Sequence, residues 1–229
     1  MRRDLRFLES QGLLDRRRGG AAATDARRPG IAVPALGITS ALEKHAIAEL
    51  ASALVHDGDA VALGAGTTTA QLAERLVDVK DLTVVTNSLL VGETLGRSTD
   101  AVVVMTGGSL RGSTYGLVGS GAEQSFADLR VRRAFLSGDG LTSARGLSTA
   151  NLSEAGVDRA ISDAAHEVLV LADHTKLGVD AMFQTVPSDR IAHLVTDDLA
   201  DPEILAAFRR LGVQVHVASV HRGDQGPGR

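Results

Sequence analysis

From about residue 40 to residue 218 the chain alternates short apolar runs with amphipathic stretches. The apolar runs predict strands over 60–63, 82–86, 101–105, 134–137, 168–171, 191–196 and 214–218. Apolar positions at three- and four-residue spacing predict helices over 68–76, 88–95, 121–129, 154–165 and 202–211. An earlier helix is expected through Ile47, Leu50, Ala51 and Leu54 to His56, opened by Ser40-Ala-Leu-Glu43 as a capping box. Buried strands separated by helices pair in parallel. The expected fold is therefore α/β: a mostly parallel sheet with helices on both faces.

The first 38 residues follow another pattern. Leu5 and Leu8, with Phe7 beside them, lie at helical spacing over 2–11, and Gly12 suits the position just past a helix end. Leu13-Leu14 can start a short strand, and Arg16-Arg17-Arg18-Gly19-Gly20 reads as a basic turn. Residues 21–37 have linker composition, rich in Ala, Arg, Gly and Pro. The expected organisation is an N-terminal unit over 1–30, a linker over 31–38, an α/β domain over 39–218 and a disordered tail over 219–229.

Charge separates the two ends. Residues 1–30 hold eight Arg against four acids, and the rest holds 16 basic against 24 acidic side chains, so a +4 head precedes a −8 body. A basic head on an acidic body points to a polyanion partner for the head alone. Aromatic residues make up 3 % of the chain and Trp is absent, which argues against stacking platforms for single-stranded nucleic acid. There is no Cys, which removes disulfides and thiolate metal sites and fits a reducing cytosol. The seven His form no His-x-x-x-His pair, and His174 reads as a structural loop residue, so neither a metal nor a cofactor is expected. No apolar run approaches the ~20 residues of a membrane span and no signal-peptide pattern opens the chain, so a cytoplasmic protein with no membrane partner is expected.

The chemistry concentrates at strand ends. Val61-Ala-Leu-Gly64-Ala-Gly66-Thr67-Thr68-Thr69-Ala70 joins a buried strand to a helix through a Gly-rich corner. Backbone N–H groups at a helix start bind anions, and threonine hydroxyls add donors without charge. The corner lacks the Gly-Lys-Ser/Thr ending of a nucleotide P-loop. It also lacks the third small residue and the later acid of a dinucleotide fingerprint. A small phosphorylated molecule fits better. Four more polar corners leave strands at Thr86-Asn87-Ser88, Thr106-Gly-Gly-Ser-Leu-Arg111, Ser137-Gly-Asp139-Gly140 and Asp173-His-Thr-Lys176. Ligands in open α/β sheets bind at such carboxyl ends, and all five corners can converge on one cleft.

These corners, in this order, resemble those of the bacterial DeoR-type transcriptional regulators. The likeness rests on Gly66-Thr-Thr-Thr, Val85-Thr-Asn87-Ser88, Gly107-Gly108-Ser-Leu-Arg111, Val118-Gly119, Phe135-Leu-Ser-Gly-Asp139-Gly140 and Ala172-Asp173-His-Thr-Lys176. Near the start, Arg2-Arg3-Asp4-Leu5 with Leu8-Glu9-Ser10-Gln11-Gly12-Leu13-Leu14 is similar to the recognition helix and following strand of that family's winged helix-turn-helix. Arg17-Arg18-Gly19-Gly20-Ala21 is similar to its wing. The resemblance implies a C-terminal domain that binds a sugar phosphate and thereby changes operator affinity. It implies a fold similar to ribose-5-phosphate isomerase and glucosamine-6-phosphate deaminase.

On that basis Gly66, Thr67, Thr68 and Thr69 would hold the phosphate and Lys176 would add positive charge. Asn87, Ser88, Asp139, Gly140 and Glu154 would line the sugar site, and Arg111 could give a bidentate phosphate contact. Arg2, Arg3 and Arg6 would face phosphates or guanine edges of operator DNA, with Arg16, Arg17 and Arg18 on the backbone. Such a reader acts as a symmetric oligomer, here a homodimer or homotetramer.

Two departures stand out. Gly64 occupies a position where the family usually has Asp, and the two helices expected before a recognition helix are missing ahead of Met1. The second suggests a start codon placed too late, or else a paralogue that binds effector without binding DNA. The expected function is a non-enzymatic repressor of a carbohydrate-metabolism operon. An isomerase or deaminase of the same fold would use carboxylates such as Asp139 and Glu154. However, Gly140-Leu-Thr and Arg145-Gly-Leu-Ser148 stand where the related isomerases carry a second acid and a lysine.

Overall fold

The computed structural model describes residues 14–17, 20–23, 40–98 and 100–220. The chain divides into two compact units, Met1–Val33 and Pro34–Arg229. In the first, β1 (Leu14–Arg17) pairs antiparallel with β2 (Gly20–Ala23), Leu14 opposite Ala23 and Arg17 opposite Gly20. Arg16 and Arg17 thus lie on a strand, and Ala21, Ala22 and Ala23 belong to its partner instead of to a linker. Arg2, Arg3, Arg6 and Arg18, the expected helix over 2–11 and the tail beyond Val220 lie outside the described residues.

The second unit begins with α1 (Ala41–Ser52), followed by β3 (Ala60–Leu63), α2 (Thr67–Arg75), β4 (Thr83–Thr86), α3 (Leu89–Leu95) and β5 (Val102–Met105). A hairpin of β6 (Ser109–Arg111) and β7 (Gly116–Val118) comes next, then α4 (Ser120–Gln124) and β8 (Val131–Leu136). Two short strands, β9 (Gly140–Thr142) and β10 (Gly146–Thr149), lead into α5 (Leu152–Ala164) and β11 (Ala165–Leu171). The unit closes with β12 (Phe183–Val186), β13 (Ile191–Asp197), α6 (Pro202–Arg210) and β14 (Gln214–Ala218).

Seven strands form one sheet in the order β14-β13-β11-β8-β3-β4-β5, every neighbouring pair parallel. The inner strands β3, β4, β8, β11 and β13 are covered on both faces, which is why their sequences are rich in apolar residues, while the edge strands β5 and β14 stay partly exposed. On one face Val61, Leu63, Val84, Phe135, Leu169, Leu171 and Val195 pack with Ile47 and Ala51 of α1, Leu72 of α2 and Leu95 of α3. On the other, Ala62, Val85, Ala134, Leu136, Val168, Val170 and Leu194 pack with Val157 and Ile161 of α5 and Phe208 of α6. Helices therefore cover both faces, as the alternation of elements predicts. No described helix is long and apolar enough to cross a membrane.

Chain order reverses beside β3. The chain steps outward from β3 through β4 to β5, then returns to place β8 on the other side of β3. Strand connections leaving β3 and β8 consequently run apart, which opens a crevice at their carboxyl ends. The last link before they separate is the Gly64 N–H donating to the Phe135 carbonyl at 3.0 Å.

Several local expectations are corrected. Ser40 does not close a capping box: its backbone is left-handed, φ 56°, in place of the extended conformation such a cap needs, and its side chain makes no capping bond. The helix expected over 121–129 is limited to Ser120–Gln124. β8 begins at Val131, three residues early, because Arg133 finds partners within the fold: Nε donates to Glu167 Oε2 at 2.8 Å and Nη1 to the Leu54 carbonyl at 2.7 Å. Val220, expected in the tail, is buried and its N–H donates to Asp198 Oδ2 at 3.0 Å.

The unforeseen elements are the β6–β7 hairpin and a three-stranded antiparallel sheet in the order β12-β10-β9. The small sheet carries Asp139 at its rim and is held by close backbone packing. A Cβ on Gly140 would overlap the Val179 carbonyl, its carbon only 2.8 Å away. Gly140→Ala is expected to destabilise the protein by about 1–3 kcal/mol, the usual cost of overpacking against backbone. Urea unfolding of the variant beside the wild type measures it.

Candidate functional site

Five connections meet at the crevice, and each has a local reason for its course. Gly66 is the N-cap of α2 and, having no side chain, leaves the first N–H groups of that helix without a side-chain acceptor. Thr69 Oγ1 donates to the Gly66 carbonyl at 3.0 Å, which fixes the corner from below. Gly64, just before it, is tightly enclosed: a Cβ there would sit 2.7 Å from Leu136 Cδ2 and 3.8 Å from Ile161 Cδ1. An Asp at this position would have to displace Leu136.

At the end of β4, Thr86 Oγ1 donates to the Leu63 carbonyl at 2.6 Å and accepts from the Ser88 N–H at 3.0 Å. Ser88 caps α3, accepting from Val91 N–H at 3.3 Å. Asn87, 3 % exposed, donates through Nδ2 to the Leu117 carbonyl at 3.1 Å, while the Leu117 N–H donates to the Asn87 carbonyl at 2.7 Å. These bonds strap the β6–β7 hairpin to the start of α3. They leave Asn87 Oδ1 buried with no partner among the described residues.

The carboxylates come from β8 and α5. Asp139 Oδ2 accepts from Ala150 N–H at 2.8 Å and from Thr149 Oγ1 at 2.9 Å. The same Thr149 hydroxyl lies 3.3 Å from Glu154 Oε2, so one side chain spans the two acids. Glu154 also accepts from Thr114 Oγ1 at 2.8 Å and pairs with Arg111, Nε to Oε1 3.0 Å. α5 starts at a side-chain cap, Asn151 Oδ1 accepting from Ser153 and Glu154 N–H at 3.1 Å, and this sets where Glu154 and, one turn later, Asp158 face.

The cation arrives from the turn after β11. Asp197, fully buried at the end of β13, accepts from His174 N–H at 2.7 Å and holds His174 Nδ1 at 2.9 Å. His174 is thus a structural residue of this turn, which delivers Lys176 so that its Nζ donates to the Gly138 carbonyl. Beneath it Lys44 of α1 is 7 % exposed. Burial lowers the Lys44 ammonium from its ordinary 10.5; Asp173 opposes that shift and Lys176 adds to it.

The resulting cleft, about 110 Å³, is lined by six of the residues expected there: Gly66, Thr67, Asn87, Asp139, Glu154 and Lys176. The other five lie outside its lining. Thr68 and Thr69 are buried in α2, Ser88 is spent as a cap, Arg111 sits behind Glu154, and Gly140 packs under Val179. Ala65, Val118, Ser137 and Gly138 of the same sequence motifs also line it, as do Thr114, Gly116, Thr149 and Asp158, which sequence reasoning did not single out. Of these last four only Asp158 left a trace in the sequence, an acid among the inward positions Ala155, Val157 and Ile161 of α5.

Asp158 is 8 % exposed and its carboxyl makes no hydrogen bond among the described residues. Burial, then the charges of Glu154 and Asp139, push that carboxyl well above its ordinary 3.8, against a smaller pull from Arg159.

The family described as the DeoR C terminal sensor domain matches residues 39–198. The chain is 32 % identical to a putative aga operon transcriptional repressor of Escherichia coli O157:H7, over 94 % of this chain and 81 % of that protein. It is also 32 % identical to the HTH-type transcriptional repressor GlcR of Bacillus subtilis strain 168, over 97 % of this chain and 85 % of that one. Among solved structures, eIF2B beta from Chaetomium thermophilum superposes with a TM-score of 0.50 at 13 % identity, covering 73 % of this chain and 53 % of the other. That is a likeness of fold alone.

The raised Asp158 carboxyl has a measurable consequence. Below pH 3.8 folded and unfolded chains both hold its proton. Above 3.8 the unfolded chain releases it while the folded one retains it, so folding loses stability as pH rises until the buried group ionises. Asp158→Asn removes that loss. Its melting temperature is expected to exceed the wild-type value at pH 7, with a gap that narrows towards pH 4. A gap independent of pH in differential scanning calorimetry would show that burial does not perturb this carboxyl.

Proposed function

The chain belongs to the DeoR family of transcriptional regulators, and on that footing we propose that its cleft senses a phosphorylated sugar and so controls operator binding. One observation carries this reading. The uncapped start of α2 opens onto a cleft that also holds Lys176, Asn87, Asp139 and Glu154. A phosphoryl group would lie over Gly66 and Thr67, taking backbone N–H and hydroxyl donors, with Lys176 supplying charge. Sugar hydroxyls would meet the side chains of Asn87, Asp139 and Glu154.

Operator contact falls to the N-terminal unit. Arg2, Arg3 and Arg6 would approach phosphates or base edges, and Arg16, Arg17 and Arg18 would hold the backbone from the β1–β2 hairpin. Paired half-sites call for a homodimer or homotetramer. Two relatives bear the name repressor, one of the aga operon. By likeness to them we assign this chain a repressor's role at a carbohydrate-metabolism operon in the cytoplasm.

We read the cleft as a sensor without turnover. An isomerase or deaminase of this fold would call for a second acid and a lysine, and Gly140-Leu-Thr and Arg145-Gly-Leu-Ser148 stand at those places.

Calorimetric titration tests the binding. Phosphorylated pentoses or hexoses are expected to bind where the unphosphorylated sugars do not. Lys176→Met should weaken the best of them about ten-fold or more, the loss expected for one charge-assisted hydrogen bond. DNA selected by the protein from a random pool should be released, or more tightly held, when that sugar phosphate is added. Indifference of both stability and DNA binding to every phosphorylated sugar would refute the reading. Incubation with the same panel, followed by NMR, is expected to return each sugar phosphate unchanged; interconversion would establish an enzyme instead.

A further inference from the structure

Hydrogen-bond acceptors crowd one part of the cleft. Asn87 Oδ1 is buried without a donor, and Asp158, more than nine-tenths buried, faces the same space with no hydrogen bond to its carboxyl among the described residues. Asp139 and Glu154 add two further carboxylates, drawn together around the Thr149 hydroxyl. A sugar hydroxyl brings one donor and two acceptors, whereas an ammonium brings three donors and no acceptor.

Charge leads to the same place. Of the cleft's acids only Glu154 has a cation bound to it among the described residues, Arg111 at 3.0 Å. Lys176, the cleft's lysine, turns its Nζ to the Gly138 carbonyl at the mouth of α2's corner. A phosphoryl group adds about two more negative charges at pH 7. Three carboxyls and a phosphoryl group cannot all stay ionised in one desolvated cleft against two cations. Before a ligand binds Asp158 keeps its proton, and a ligand that itself brings positive charge lets that carboxyl ionise.

We propose that the end of the cleft formed by Asp158, Glu154, Asp139 and Asn87 binds an ammonium group, so that the effector is a phosphorylated amino sugar with its amine free. This rests on the sugar-phosphate reading of the cleft given above. The phosphoryl group takes the α2 end and the ammonium takes the acidic end. Asp158 supplies the charge-assisted bond that distinguishes an amine from a hydroxyl or an N-acetyl group.

The test is calorimetric titration of the full chain at pH 7 with glucosamine 6-phosphate and galactosamine 6-phosphate. Their hydroxyl counterparts and N-acetyl derivatives serve as matched probes. In at least one pair the amine is expected to bind about ten-fold or more tightly than the hydroxyl and N-acetyl forms. Asp158→Asn, shown folded by circular dichroism, should bring that ratio close to one while the hydroxyl form still binds. Equal or tighter binding of the hydroxyl forms to the wild type overturns the ammonium subsite alone, as does an unchanged ratio in Asp158→Asn. Failure of every phosphorylated sugar to bind overturns it together with the sugar-phosphate reading.

Discussion

The reversal of chain order at β3 governs the rest of the second unit. Parallel strands must be joined by crossovers, and crossovers that depart in opposite senses from neighbouring strands cannot fill the space between them. Here the neighbours are β3 and β8, joined for the last time at Gly64 and Phe135. Everything chemically distinctive in the unit lies around that gap: the start of α2 on one side, Ser137–Asp139 on the other, and the ends of α5 and the Lys176 turn behind. The sheet needs only apolar strands to form. The polar residues are tolerated because they fall where the sheet has ended.

A gap alone would be a soft place, and the protein stiffens it with side chains that do not face the ligand space. Asp197 ties the 174–176 turn to β13, Thr86 ties the end of β4 to β3, and Asn87 exchanges two bonds with Leu117 of the hairpin. Each of these groups is buried and partnered, the condition under which a polar group in a core confers rigidity without a large cost. Two groups that line the cleft differ: Asn87 Oδ1 is buried with no partner, and the Asp158 carboxyl makes no hydrogen bond, among the described residues. Buried groups left without partners are costly, and a ligand that supplied donors would offset that cost.

A basic N-terminal unit and an acidic sensor unit also divide the electrostatics. The +4 head is suited to a polyanion, whereas the −8 body would repel one. Three of the body's acids, Asp139, Glu154 and Asp158, line the cleft.

How much of this was legible in the sequence follows from which interactions are local. Apolar runs marked all seven strands of the main sheet, two-sided burial setting those of the inner five, and the helices between them differ from expectation mostly by a residue or two at their ends. Gly66, Thr67, Asn87, Asp139 and Lys176 could be singled out because each sits within a few residues of a strand end, and strand ends of a parallel sheet share one edge. The small antiparallel sheet and the β6–β7 hairpin were not legible, since strands of three or four residues such as Ser109–Arg111 and Gly140–Thr142 carry no period of their own. Ser40 and Glu43 matched a capping box in type and spacing, yet the chain enters α1 through a left-handed residue and the box does not form. Only the tertiary structure could bring Thr149 between Asp139 and Glu154, or send Asp158 to the cleft with no hydrogen bond among the described residues while Ser88 and Thr69 found partners elsewhere and Arg111 paired with Glu154. Those outcomes depend on which distant atoms a side chain meets, and periodicity along a chain does not encode them.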